Sequence, residues 1–281
     1  MRPTNAVTMM GQRKPDESAR RRAMVRLNGM MFYSAAIASF LESTAPLDTA
    51  RLTRLSEGHP DVRLWLDRVW LPGRAEHGRL LRDYIETTWP EFEWSSAYQE
   101  FRDSYGLRTA ARVGPPGLAL EFFARCVTET SLAVFYRTLA KCADEPSLRA
   151  LAAEAARDHS AYFNFFRSLF DRFGGRKRAS FAATCRAMLT SCRFAREVDV
   201  AAAYQPLARH WHGGWVFPEL SYAEFLARLA SLIKRHGALG PVERLMFRPW
   251  LNPPPGIEPG RPAATSGRRK NTAVAPVPRA A

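Results

Sequence analysis

The stretch that decides the fold is residues 70–84, which read WLPGRAEHGRLLRDY. It lies inside a longer region with helical apolar periodicity, so we predict a helix over residues 61–88. His77 shares one face of this helix with apolar and small residues at three- and four-residue steps. The members of this face are Leu66, Trp70, Gly73, His77, Leu80, Leu81 and Tyr84. The pattern therefore directs an ionisable side chain into the protein interior.

A second pair of helices is predicted downstream, over residues 118–142 and 146–173. Glu129 lies in the apolar stripe of the first of these helices, and His159 lies in that of the second. A buried carboxylate must be paired, hydrogen-bonded, protonated or bound to a cation. Glu129 and His159 therefore indicate a polar site in the interior.

An N-terminal helix is predicted over residues 21–45, and its inner face carries Glu42. Together with His77, Glu129 and His159, this places one carboxylate or imidazole on each of four helices, all directed at a common interior. No alternating apolar and polar run is long enough to indicate a strand. The expected fold is therefore an all-α four-helix bundle.

Composition divides the chain into four parts. Its two ends are polar and rich in proline, glycine or alanine, which is typical of disorder, whereas the region after the bundle retains helical periodicity. The predicted parts are a disordered N-terminal arm (1–20), the helical bundle (21–173), a helical C-terminal extension (174–251) and a disordered tail (252–281).

The net charge of +14 is concentrated partly in the two ends. Residues 1–22 carry six Lys or Arg against two acids and residues 252–281 carry five against one, a net of +4 each. Nucleic acid is therefore not a favoured partner, although basic chains often bind it. The four cysteines lack Cys-x-x-Cys spacing, which indicates reduced thiols in a cytoplasmic protein. The uncharged run over residues 28–41 is too short to span a bilayer, so no transmembrane segment is expected.

The region from Trp70 to Ile85 resembles the second bundle helix of the soluble acyl carrier protein desaturases. In that family a Trp precedes Glu-x-x-His, followed by Gly, Leu, Leu and Tyr. Residues 129–159 resemble the second helical hairpin of the same family and of ferritin-like proteins generally. The resemblance covers residues 21–173 and implies a ferritin-like four-helix bundle. It also implies metals held by helix-borne carboxylates and two Glu-x-x-His pairs.

Carried onto this chain, the resemblance matches Glu42 and Glu129 to the lone glutamates of helices 1 and 3, and His77 to the first motif histidine. Three other ligand positions have changed type, and an acid that supports a ligand in the family is matched by Asp158. The changed positions are Arg74 in place of Glu, His159 in place of Glu, and Tyr162 in place of His. The implied metal centre is therefore degenerate.

Three interpretations of this site remain open. In the first, Arg74 pairs with Glu42 or Glu129 and replaces the metal electrostatically, because arginine cannot deprotonate and binds carboxylates bidentately. In the second, the four inward residues bind one Fe, Mn or Zn ion, whose preferences suit mixed nitrogen and oxygen ligands. In the third, the helix register differs and Glu76 or Asp158 is a ligand.

The leading functional hypothesis is a desaturase-related protein with a partly lost metal centre, either a non-redox scaffold or a weak mononuclear metal protein. The alternative is a working non-haem iron oxidase of the desaturase or N-oxygenase type. A third hypothesis, a basic helical protein that binds a partner or nucleic acid, rests on charge alone. A homodimer and an acyl or other small apolar substrate are the remaining expected partners. The aromatic segment that contains His210 and His212 is interpreted as a solvated loop rather than as a metal site.

Overall fold

The computed structural model describes residues 17–110, 117–174 and 179–251, and these are mostly helical. Within these ranges there is no β-strand, and the only β-pairing is an isolated bridge between Phe92 and Trp211. The all-α class is confirmed. In chain order the helices are α1 (Glu17–Arg26), α2 (Gly29–Ser43), α3 (Ala45–Leu55), α4 (Pro60–Trp65), α5 (Leu71–Thr88), α6 (Trp94–Ala110), α7 (Leu118–Cys142), α8 (Pro146–Arg172), α9 (Phe181–Phe194), α10 (Ala201–Arg209), α11 (Tyr222–His236) and α12 (Pro241–Leu251).

The long helices α7 and α8 form a hairpin and pack together along their lengths. Both helices lie where the sequence predicted them, to within one residue. Pro146 lies in the first turn of α8, where a backbone N–H has no partner within the helix. A proline there therefore costs no hydrogen bond. The Glu145 side chain caps the same helix by accepting from the Leu148 N–H at 2.8 Å. Helix α2 packs against α5, and α5 packs against α8, which completes the framework of the candidate site.

The predicted single helix over residues 21–45 is wrong, because the chain breaks at Asn28. The Asn28 side chain accepts a hydrogen bond from the Met31 N–H at 3.3 Å, so it caps a new helix rather than continuing the old one. The Arg26 guanidinium donates to the Thr88 carbonyl at 3.0 Å and holds α1 against the end of α5. Helix α1 itself begins at Glu17, inside the arm predicted to be disordered. The rest of that arm, residues 1–16, and the predicted tail over residues 252–281 lie outside the described residues.

The segments 19–26 and 29–55 meet at an angle of 88°. Among the described residues, no single helix combines the length and apolar character needed to cross a membrane. In the part of the chain that the structure describes, this bent pair passes by length and composition.

The helix predicted over residues 61–88 is present but is not a uniform α-helix. A π-helical turn, Leu66–Trp70, joins α4 to α5, and the Leu71 N–H bonds to the Leu66 carbonyl. This wider turn ends two residues before Pro72, which has no N–H to donate and whose ring crowds the preceding turn. The π turn therefore accommodates the proline and sets which α5 residues face the interior.

The loop between α10 and α11 packs onto α2 through an aromatic cluster around Phe32. The rings of Trp211, Trp215 and Phe217 lie 4.9, 5.9 and 5.6 Å from the Phe32 ring. Trp211 is only 7% exposed, so the prediction of a solvated aromatic loop at residues 210–215 is wrong for this side chain. The reason is that Phe32 on α2 offers an apolar surface that the sequence of the loop alone does not reveal.

Gly73 lies on the face of α5 that contacts Tyr162 of α8. A Cβ added at Gly73 would overlap the hydroxyl oxygen of Tyr162, a side chain that is 5% exposed. We expect Gly73→Ala to lower the free energy of unfolding by about 1–3 kcal/mol, the usual cost of overpacking. This loss should outweigh the gain of up to about 1 kcal/mol that alanine brings to a helix interior. Urea denaturation followed by circular dichroism measures the change.

Gly106 provides the matched control, because an added Cβ there meets no heavy atom within 4 Å. Gly106→Ala should leave stability unchanged or raise it slightly. Adding Tyr162→Phe to Gly73→Ala removes the overlapping oxygen and should recover most of the loss. A destabilisation that persists in the double variant would contradict this account of the contact.

Candidate functional site

The four predicted inward residues lie on α2, α5, α7 and α8, and all are buried. His159 links two of the others. Its Nδ1 lies 2.6 Å from Oε2 of Glu129, and its Nε2 lies 2.8 Å from Oε1 of Glu42. His77 is close by, with its ring centroid 5.8 Å from that of His159. The structure therefore brings the predicted residues together at one interior site.

His159 lies between two carboxylates, and both of its ring nitrogens face oxygen acceptors. Burial lowers the pKa of this histidine, but the carboxylates of Glu42 and Glu129 outweigh it and raise the pKa to about 9. Because an imidazolium donates from both nitrogens, the protonated form satisfies both carboxylates at once. His159 is therefore a buried cation at neutral pH.

Glu42 accepts hydrogen bonds from three side chains. Oε1 accepts from Nε2 of His159 and from the Tyr136 hydroxyl at 2.9 Å, and Oε2 accepts from Nε of Arg74 at 2.8 Å. Burial raises the pKa of Glu42, but the positive charges of His159 and Arg74 hold it well below its usual range. Glu42 is therefore ionised although none of it is exposed.

Arg74 occupies the position where the resemblance expects a metal-binding glutamate, and its side chain points into the site. Its Nη1 donates to Oδ2 of Asp48 at 3.0 Å, and its Nη2 donates to the Leu41 carbonyl at 2.6 Å. Its guanidinium carbon also lies 5.0 Å from the ring centroid of Trp70. A permanent positive charge is thus held in contact with Glu42 by four separate interactions.

Glu129 has two donors of different kinds. Its Oε1 accepts from the indole Nε1 of Trp70 at 3.1 Å, while Oε2 faces His159. The sequence placed Trp70 on the same apolar stripe as His77, but periodicity does not reveal which polar atom an indole will meet. Trp70 is therefore a site residue that the sequence reasoning missed.

Asp48 and Arg125 extend the network on the side of Arg74. Arg125 Nη2 donates to Oδ1 of Asp48 at 3.2 Å, and the Tyr105 hydroxyl donates to the same oxygen at 3.4 Å. Burial raises the pKa of Asp48, but Arg125 and Arg74 lower it to about 2. Neither residue was predicted. Arg125 stands one helical turn before Glu129, a spacing that could have identified it.

His77 contacts Asp158, the acid that the resemblance places behind a metal ligand. The His77 Nε2 lies 3.0 Å from Oδ2 of Asp158. The other ring nitrogen, Nδ1, is buried and has no hydrogen-bond partner in the part of the chain that the structure describes. Glu42, His77 and His159 each offer one potential ligand atom, and these three atoms lie within 4.8 Å of one another. These three side chains could hold one metal ion.

Glu129 and Tyr162 are not part of that three-residue group. The Tyr162 ring lies 5.6 Å from the His159 ring, at an interplanar angle of 83°. Its hydroxyl oxygen lies against Gly73. Burial raises the pKa of Tyr162, so its phenol stays protonated. It therefore acts as a packing residue at the position where the resemblance expects a histidine ligand.

The residues present do not fit a pair of metal ions. Both oxygens of Glu42 and both oxygens of Glu129 already face hydrogen-bond donors. Arg74 and protonated His159 place two positive charges against these two carboxylates. A metal pair would have to displace both cations, and the chain offers no glutamate at position 74 to take part.

The histidines of the aromatic loop do not meet at a common point. The His210 Nε2 lies 2.9 Å from Glu100, and the His212 Nε2 lies 2.9 Å from Glu93. The four cysteines are free, and none belongs to a metal-competent group among the described residues. The candidate site is therefore the α2–α5–α7–α8 interior.

Comparisons of the chain with protein-family models, with curated proteins and with solved structures found no match. The interior site combines three buried carboxylates, at positions 42, 48 and 129, with three cations, at positions 74, 125 and 159.

Proposed function

We propose that this protein is a ferritin-like helical protein, related to the acyl carrier protein desaturases, in which an ion-pair network has replaced the metal pair. In this proposal it works as a non-redox scaffold. The guanidinium of Arg74 and the imidazolium of His159 supply the positive charge that a metal pair would supply to Glu42 and Glu129. The bundle keeps its polar interior without a redox centre.

The observation that carries the proposal is the position of His159 between Glu42 and Glu129, at 2.8 and 2.6 Å. An imidazole that ligates a metal must present an unprotonated nitrogen. Here each nitrogen faces a carboxylate oxygen and favours retention of its proton. Arg74 adds a charge that repels a divalent cation and cannot be removed by deprotonation. Both features oppose metal binding.

A second candidate is a weak mononuclear metal protein that uses Glu42, His77 and His159. The specific observation in its favour is Nδ1 of His77, which is buried and has no partner among the described residues. A buried polar atom without a partner is costly, and a metal ion would satisfy it. The mixed nitrogen and oxygen ligands suit Fe, Mn or Zn. Binding would require His159 to lose a proton, so the affinity would be low at neutral pH.

The oxidase alternative requires stoichiometric redox-active iron, which Arg74 disfavours. The charge-based hypothesis of a nucleic-acid or other partner has gained no further support. The cytoplasmic location, the homodimer and the acyl or small apolar substrate stay predictions.

Metal content tests the proposal directly. Protein purified without a metal-binding tag should contain far less than one Fe, Mn or Zn per chain by elemental analysis, because Arg74 and His159 occupy the carboxylates. Stoichiometric iron in the wild-type protein would contradict the proposal. Stoichiometric metal that is lost in His77→Gln would instead support the mononuclear candidate.

Arg74→Glu is the companion variant. Together with His77 it would rebuild one Glu-x-x-His pair, and it removes the repelling charge. Its affinity for Fe(II) or Zn(II), measured by calorimetry, should therefore exceed that of the wild type by tenfold or more, a change of about 1.4 kcal/mol in binding free energy. Equal metal affinities in the two proteins would show that position 74 does not control the site.

A further inference from the structure

A cavity of about 500 Å³ lies between the α7–α8 hairpin and the C-terminal helices α9 and α12. Among the described residues, its wall shares no member with the ion-pair network around Glu42, so it is a separate feature of the molecule. Its volume is within the range of cavities that hold small organic ligands, about 300–1,000 Å³. The wall carries three phenylalanine rings and two methionine side chains, those of Phe123, Phe163, Phe170, Met188 and Met246.

The apolar part of this wall differs from an ordinary aliphatic core. Within the described ranges, Val127 and Ala133 are its only aliphatic residues. The ring centroids of Phe123 and Phe170 lie 5.4 Å apart, and the ring of Phe163 is only partly buried. An aromatic ligand gains edge-to-face contacts with phenylalanine and sulfur contacts with methionine, which a saturated ligand of equal area does not gain. The wall therefore favours an aromatic ligand over an aliphatic one.

The charged side chains of the wall balance one another. Nη2 of Arg137 donates to Oε1 of Glu243 at 3.0 Å, and Arg167 stands one helical turn before Asp171 on α8. Two arginines thus accompany two acids, and a charged ligand would give up hydration without meeting an uncompensated opposite charge. Nε of Arg137 is buried and has no hydrogen-bond partner in the part of the chain that the structure describes. It can therefore donate to one oxygen atom of a neutral ligand.

We propose that this cavity binds a neutral aromatic molecule that carries one oxygen acceptor, as a phenol does. The aromatic ring lies among Phe123, Phe163 and Met188, and the oxygen accepts a hydrogen bond from Nε of Arg137. The site involves neither a metal ion nor the charges of the interior network. It therefore does not depend on the proposed function.

Calorimetric titration of the full-length protein with 2-naphthol and decahydro-2-naphthol tests this inference. The two probes share one carbon skeleton and one hydroxyl group, and only the first is aromatic. 2-Naphthol should bind about ten times as tightly as its saturated counterpart, because the contacts with the phenylalanine rings and methionine sulfurs are lost on saturation. 2-Naphthoate, which is anionic, should bind more weakly than 2-naphthol. The inference is overturned if 2-naphthol does not bind at millimolar concentration, or if either of the other probes binds as tightly.

Variants of the wall locate the binding site. Phe163→Leu removes one ring but keeps the side chain apolar, so it should weaken 2-naphthol about threefold or more and leave decahydro-2-naphthol unchanged. Met188→Leu, on a different helix, removes a sulfur at nearly constant volume and should have the same selective effect, which keeps the test open if one variant folds poorly. Phe181→Leu is the matched control and should change nothing, because Phe181 is 86% exposed and lies outside the cavity. If the two wall variants affect 2-naphthol no more than Phe181→Leu does, the ligand does not occupy this cavity and the inference fails.

Discussion

Replacing Arg74 with methionine should lower the free energy of unfolding by about 3–5 kcal/mol, the usual cost of removing one partner from a buried ion pair. Arg74 is 3% exposed and donates to both Glu42 and Asp48. Of the two cationic side chains that donate to the fully buried Glu42 among the described residues, its loss would leave His159. Urea denaturation of the wild type and the variant measures the difference.

Two further variants define the cause of this loss. Arg79→Met removes an arginine from the same helix whose side chain is 55% exposed, and its ion pairs should contribute less than about 1 kcal/mol. Adding Glu42→Gln to Arg74→Met removes the stranded charge and should recover part of the stability. If Arg74→Met costs no more than Arg79→Met, Arg74 does not balance a buried charge and the ion-pair account fails.

The stability of the wild-type protein should decrease as the pH rises through about 9, because His159 must then lose its proton. Its pKa is raised from 6.5 to about 9 in the folded protein, so its contribution is complete below pH 6.5. A rise of this size corresponds to a loss of about 3 kcal/mol across the interval. The pKa of Glu42 is shifted in the opposite direction, so its contribution is complete above 4.5 and is lost as the pH falls further. These two groups therefore favour stability between about pH 4.5 and 6.5.

Nuclear magnetic resonance of the labelled histidine side chains measures the titration of His159 directly in the folded wild type. A bound metal would reverse the sign of the effect, since ligation needs the unprotonated imidazole and grows stronger as the pH rises. Stability that increases between pH 6.5 and 9 in metal-free buffer would contradict the ion-pair network.

Helical periodicity was enough to predict α7 and α8 to within a residue and to place Glu42, His77, Glu129 and His159 in the interior. These features depend on local spacing, which a single helix expresses by itself. The break at Asn28 was not predicted, because the apolar stripe continues across it, although the Asn28-Gly29 pair is a turn signal that could have revealed the break. The contact of Arg26 with the end of α5, which helps to hold the bend, joins residues far apart in the chain.

The partners of the site residues were only partly predictable. The resemblance to the desaturases matched Arg74 to a metal-ligand position of that family, and pairing with Glu42 was one of the interpretations that followed from it. Asp48 was not predicted to be a site residue. It lies on the separate short helix α3, and the apolar periodicity of that helix does not specify how the helix is oriented in the fold. Trp70 was recognised as apolar, and its role as a donor to Glu129 depends on the rotation of α5 against α7.

The sequence by itself determined that this chain is all-α and that Glu42, His77, Glu129 and His159 lie on the inward faces of their helices. Both conclusions follow from the residue types and their helical spacing. Only the tertiary structure decided that His159 lies between Glu42 and Glu129, and that Arg74 joins Glu42 to Asp48. The physical reason is that the energy of a buried charge depends on the charged and polar atoms within a few ångströms of it. The neighbouring groups come from different helices. The rotation and the axial position of these helices relative to one another are set by packing rather than by local sequence.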